Sequence, residues 1–178
     1  MLDAEWLRFL SLHSFGKLGV LESAEWFVQC EPSQWLSKIE HDRATALRVA
    51  IAVVELVLPE WQRNHPDDTV PIRAVEAARK LVESDDVDLK KHAQVLSTAC
   101  SAARKRSLGY DHRIAEAARA VANAAAASSE RAIATAVGEA ISKTEEHMLY
   151  QYSVEAIYGK EAEVRRTLFS TMIDTLKP

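Results

Sequence analysis

The sequence predicts an all-α protein, an irregular multi-helix bundle of about seven or eight helices, on three observations. Glycine and proline number only five each in 178 residues, too few for a fold of many short strands joined by tight turns. Alanine-rich, charge-punctuated stretches fill most of the chain after residue 40, and alanine favours helix because it loses no side-chain rotamer freedom. Apolar residues recur at three- and four-residue intervals, which stacks them on one helix face. A regular solenoid ranks second, because no period recurs with matching large residues. The chain is of a size to form a single helical domain over 1–178, with 1–40 as an N-terminal helical cap.

In that cap, Trp6, Leu7, Phe9 and Leu10 make a short amphipathic helix that Ser14, Gly16 and Gly19 interrupt. Glu22 to Val28 form a second, and Pro32 opens a turn that brings Trp35, Leu36 and Ile39 to the core. Asp42 then caps a helix running through Leu47, Ile51, Val54 and Leu58. Pro59 ends or kinks it by removing the hydrogen bond to Glu55, leaving Glu60, Trp61 and Gln62 in a following turn. Trp61 reads as a core anchor. Residues 64–69, Asn-His-Pro-Asp-Asp-Thr, are the clearest loop.

Pro71 suits the first turn of the next helix, capped by Asp68 or Thr69, with Ile72, Val75 and Leu81 or Val82 inward. After a break at Ser84, Asp85 and Asp86, Asp88 caps a helix from Leu89 to Lys105 with Val95, Leu96, Ala99 and Cys100 inside. Leu108, Gly109 and Tyr110 turn the corner, and Asp111 caps the alanine-rich helix over Ala115–Ala127. Ser128 or Ser129 starts a helix through Ile133, Val137 and Ile141, continued by Met148, Tyr152 and Ile157 to a boundary at Gly159. A last helix carries Val164, Leu168, Met172 or Ile173, and Leu176.

Lys and Arg total 22 against 26 Asp and Glu, a net charge of -4, so no global positive field gathers nucleic acid or an anionic membrane. The densest basic cluster, Arg104-Lys105-Arg106, reads as charge placed against the exposed carbonyls of a helix end, and nucleic-acid binding is disfavoured. Cys30 and Cys100 lie outside any CxxC or Cys/His spacing, so reduced thiols are expected. The Ile51–Leu58 run is too short to span lipid and no leader pattern is read, so a cytoplasmic protein without a membrane partner is expected.

The GxxxxGK, GxGxxG and GxSxG patterns are absent. Glu145-Glu146-His147 lacks the Glu-x-x-His spacing of helical metal bundles. His112 and Glu116 read as an exposed pair one turn apart, and His41, His65 and His92 as surface or capping residues. No catalytic, cofactor-binding or metal-ligating residue is assigned, and no cofactor is expected. Asp67 with Asp68, and the acids of 83–88, suit loop and cap chemistry, with Lys90 and Lys91 pairing to the latter. Arg73 is expected to reach an acid across the proline corner, and Glu76 to pair with Arg79.

Val57-Leu58-Pro59-Glu60-Trp61, His65-Pro66-Asp67-Asp68, Pro71 and Arg73-Ala74-Val75-Glu76-Ala77-Ala78-Arg79 resemble immunity proteins of bacterial polymorphic toxin systems. The resemblance is direct over about residues 50 to 83 and looser through Ile157; where members carry histidines in the alanine-rich half, this chain has Asn123 and Ser129. It implies a helical protein that neutralises a cognate protein toxin. Occlusion is the expected mechanism, with Asp67, Asp68, Arg73, Glu76, Arg79, Asp85, Asp86 and Asp88 as partner-binding candidates. Two readings compete: a self-associating scaffold, a homo-oligomer packed through alanine-rich faces, and a helical-bundle metalloenzyme using His112, Glu116, Glu145 or His147.

Overall fold

A computed structural model describes residues 42–107, 109–152 and 154–176, with backbone alone at 154–159, 162, 173 and 176. The expected N-terminal cap, including Trp6, Trp26, Trp35, Cys30 and His41, lies outside the described residues. Among the described residues there are seven helices and no strand: α1 (Arg43–Glu55), α2 (Leu58–Asn64), α3 (Val70–Lys80), α4 (Val87–Arg106), α5 (His112–Ala126), α6 (Glu130–Tyr150) and α7 (Val154–Leu176). None is long and apolar enough to cross a membrane.

The capping rules place most starts. Asp42 accepts the Thr45 amide at 2.7 Å to open α1, and Ser129 accepts that of Ala132 at 3.3 Å to open α6. Pro71 sits in the first turn of α3, where a missing N–H costs no helical bond. Asp68, just outside that helix, accepts the Val70 amide at 3.2 Å.

Four expectations need correction. The helix expected to run through Leu58 stops at Glu55, and Pro59 instead sits in the first turn of the separate helix α2, so Leu58 is only half-buried while Val57 and Trp61 carry the apolar burial. Asp86, not Asp88, caps α4, accepting the amides of Asp88 and Leu89 at 2.8 Å each. Val95 is 65% exposed, because the buried stripe of α4 runs through Ala93, Leu96, Ser97, Cys100 and Ala103 and leaves it on the other face. Gly159 lies inside α7, a position that costs up to about 1 kcal/mol relative to alanine; α6 ends at Tyr150, and residues 151 and 152 are not helical.

The alanine-rich α5 is the centre of the bundle, packed against α3, α4, α6 and α1. Its residues Ala115, Ala117, Ala118, Ala120, Val121, Ala122, Ala124 and Ala125 are wholly buried. Short side chains let neighbouring helices approach closely from several directions. The larger core groups come from those neighbours: Leu47, Val49 and Val53 of α1, Ile141 of α6, and Leu168, Phe169 and Met172 of α7. A smaller cluster of Val57, Trp61, Ala103, Ile114 and Ala115 seats α2 against the bundle. Arg43 ties two helix ends together, donating to the carbonyls of Leu81 (2.9 Å), Ser84 (3.4 Å) and Ala125 (2.9 Å).

Ala118→Leu, which forces a large side chain into this closely packed centre, is expected to lower stability by about 1–3 kcal/mol. Val95→Ala, on the exposed face of α4, should change it by less than about 0.5 kcal/mol. Urea denaturation of the two variants beside the parent protein checks both. Equal losses would mean that the inward faces of α4 and α5 are misplaced.

Candidate functional site

Polar residues converge where α2 meets the start of α5 and the end of α6. Asp111 occupies the N-cap position of α5 in an αR backbone conformation, and its carboxylate caps no amide of its own helix. It turns instead to the loop after α2, accepting from Asn64 Nδ2 and facing His65 Nε2, each at 3.0 Å. His65 is held in place by tilted stacking on Trp61 at 4.2 Å between ring centroids, and the Trp61 indole N–H donates to the Asp68 carbonyl at 2.7 Å. Arg106 closes the far side of this loop through a 2.6 Å bond to the Asp68 carboxylate.

A second histidine meets this corner from α6. His147 is 2% exposed; its Nδ1 faces the Tyr110 carbonyl at 3.3 Å and its Nε2 faces Glu60 Oε2 at 3.0 Å. Gln151 donates to the same Glu60 oxygen at 2.6 Å. Tyr110 and Tyr150 stack on each other, linking the start of α5 to the end of α6. Glu60, Asp111 and His147 each offer a ligand atom, all within 4.8 Å of one another. Glu60 was expected in a simple turn and Asp111 as a helix cap; sequence reasoning assigned neither to a site.

The partner-binding candidates fall on one stretch of surface chain, and only Asp68 among them is drawn partly inward. Asp67, Arg73, Glu76, Arg79, Asp85, Asp86 and Asp88 are exposed. Their expected internal pairings need two corrections. Arg106, not Arg73, reaches Asp68 across the proline corner. Arg79 pairs with Glu55 of α1 rather than with Glu76, because packing brings α1 and α3 together and offers a partner across the interface. Lys90 with Asp85 (2.5 Å) and Lys91 with Asp88 (3.1 Å) form as expected. Lys90 holds the Asp85 carboxyl below its ordinary value through a hydrogen bond and its charge.

His112, Glu116, Glu145 and His147 do not converge. His112 Nδ1 meets the Gly109 carbonyl at 2.8 Å. Glu116 is no exposed partner of His112: it is buried and bound by Arg104 at 3.1 Å and Arg113 at 2.8 Å. Glu145 binds Arg165 of α7 at 2.7 Å. Burial pushes the Cys100 thiol up to about 12, which leaves no thiolate nucleophile at neutral pH. No family model, curated protein or solved structure matches this chain.

Burial alone would raise the Glu116 carboxyl, but the Arg113 hydrogen bond and the charges of Arg104, Arg113 and Lys143 outweigh it and leave it below its ordinary 4.5. The stability it contributes is therefore complete above pH 4.5 and is lost as pH falls through the lower folded value. Glu116→Gln should be less stable than the parent at neutral pH and lose less stability on acidification. Thermal melts from neutral pH down to about pH 3 test this, and parallel curves for the two proteins would count against it.

Proposed function

We propose that the protein is a helical binding module that neutralises a cognate bacterial protein toxin by covering its active surface. The observation that carries this reading is the exposure of the candidate residues on and beside the segment that resembles immunity proteins. The inner face of α3 is buried through Pro71, Ala74, Val75, Ala77 and Ala78, so Arg73, Glu76 and Arg79 stand on the opposite face. The preceding loop is anchored through Asp68 by Trp61 and Arg106, which presents Asp67 on a pre-ordered backbone and lowers the ordering cost of association.

Charge favours a basic counterpart. Among the described residues the side chains of Asp67 and Glu76 make no hydrogen bond or ion pair, and Asp85 and Asp88 are only matched by flexible lysines. Such groups exchange their weak surface pairings for a partner's arginines and lysines, raising the encounter rate and fixing orientation. A toxin whose own site is positively charged, as one that acts on nucleic acid must be, fits that polarity. Burial of the alanines of α5 within the chain weighs toward this reading over the self-associating scaffold. No reaction is assigned to the protein, and cytoplasmic action follows from the same proposal.

Asp67→Lys with Glu76→Lys removes no internal bond and is expected to leave the melt within about 0.5 kcal/mol of the parent. The same pair of changes should weaken binding to the toxin-like product of the adjacent gene at least about tenfold. Calorimetric titration with that product, and growth protection on co-expression, are the measurements. Undiminished affinity would exclude this face, and failure of the parent protein both to bind and to protect would end the proposal.

A further inference from the structure

We propose that Glu60, Asp111 and His147 form a binding site for one divalent transition-metal ion, a property independent of toxin neutralisation. The first ground is geometry. Two ligands each about 2.1 Å from a metal lie about 3.0–3.4 Å apart at octahedral or tetrahedral angles. Glu60 Oε2 and His147 Nε2 are already 3.0 Å apart, and an Asp111 oxygen lies within 4.8 Å of a ligand atom of each residue. From that 4.8 Å limit, Asp111 closes the set to ligand spacing by moving at most about 1.8 Å.

The second ground is charge. The other half-buried or buried carboxylates of the bundle are matched by permanent cations: Asp68 by Arg106, Glu116 by Arg104 and Arg113, Glu139 by Arg119, Glu145 by Arg165, and Glu146 by Arg113 and Lys143. Glu60 and Asp111 have side chains only 25% and 16% exposed, yet their ionic partners among the described residues are histidines alone. Two carboxylates and a neutral imidazole carry a charge of -2, which a divalent cation cancels without importing a lysine or arginine.

The third ground is the hydrogen-bond count on His147. Its Nδ1 faces the Tyr110 carbonyl and its Nε2 the Glu60 carboxylate, so both ring nitrogens face acceptors, and the single N–H of a neutral ring can serve only one of them. A metal ion between Nε2 and the Glu60 oxygen satisfies both, and a ring held by Nδ1–H on a backbone carbonyl with Nε2 on the metal is how ligating histidines are oriented. Around the set, His65 and Asn64 bond Asp111 Oδ2, and Gln151 bonds the Glu60 oxygen that faces His147, so both carboxylates are held in orientation. One imidazole with two carboxylates suits Zn²⁺, Mn²⁺ or Co²⁺ and leaves further coordination positions to water or to a group on a partner.

The test uses the full chain stripped with a chelator and titrated with Zn²⁺ and Co²⁺ in a calorimeter, with Co²⁺ also followed by its visible absorption. One equivalent should bind saturably, raise the melting temperature, and give absorption bands of a site with nitrogen and oxygen ligands. Glu60→Gln and Asp111→Asn should each weaken binding more than about tenfold, and His65→Gln, acting only through Asp111, by about 10–100-fold or less. Circular dichroism establishes that each variant is folded, and Glu60→Gln, at the partly exposed edge, keeps the test open where a change at buried His147 unfolds the chain. Absence of saturable binding to the parent, or binding undiminished in folded Glu60→Gln and Asp111→Asn, would overturn the site and leave the histidine–carboxylate contacts as purely structural ones. Neither result bears on whether the toxin is bound.

Discussion

A helix buried on nearly every side constrains everything around it, and in this protein that helix is α5. Its residues Ala117, Ala118, Ala120, Val121, Ala122, Ala124 and Ala125 are inaccessible to solvent. Alanine serves here for two reasons: it holds the helical conformation without help, and it lets α1, α3, α4 and α6 come close at once. It contributes little apolar area of its own, so the neighbours supply the bulk through Leu47, Leu81, Ile141, Leu168 and Phe169. Where polar side chains enter α5 they are paired at once, Glu116 by two arginines and Arg119 by Glu139 of α6.

Such a helix still has two polar ends, and each end decides something. At the C-terminal end Arg43 donates to the Ala125 carbonyl and, through its other arm, to Leu81 and Ser84, so one guanidinium joins the ends of α5 and α3 to the start of α1. At the N-terminal end Asp111 stands where a cap is expected but gives its carboxylate to Asn64 and His65. A departure from a strong local preference marks the place where another demand prevails. Here that demand is the corner shared by α2, α5 and α6.

The fold class was legible because periodicity and caps are local signals. Asp42 and Pro71 could be read from their neighbours, Ser129 as one of two adjacent serines, and the buried faces through Leu96 and Cys100, or Val164 and Leu168, from spacing alone. Failures arose where several local answers were chemically equivalent. Any acid in Asp85-Asp86-Val87-Asp88 suits a cap, and only the backbone shows that Asp86 takes it. Val95 beside Leu96 cannot be assigned to a face until the neighbouring helix is known. Arg79 had a partner at helical spacing and took one across the interface. The corner site was invisible for a different reason: His147 and Glu60 are 87 residues apart and His65 and Asp111 are 46 apart, so no motif spacing could join them.

The choice of counter-charge separates the two kinds of carboxylate in this molecule. An arginine is always charged and binds its partner in a fixed plane, so a carboxylate matched by one is committed to holding the bundle together. Glu116, Glu139 and Glu145 are committed in this way, each joining one helix to another. A histidine is a reversible partner, able to give up its proton and offer a lone pair instead. Among the described residues, histidines form ion-pair contacts with Glu60 and Asp111 only, and one of them, His65, is fixed by stacking on the buried Trp61. The same tryptophan bonds the Asp68 carbonyl, so the loop that carries exposed Asp67 is anchored by the residue that positions the corner. The Asp68 amide also donates to the His65 carbonyl at 3.0 Å, so loop and corner are joined both through the backbone and through Trp61, a side chain 1% exposed in a packed cluster with little room to absorb a change at either place.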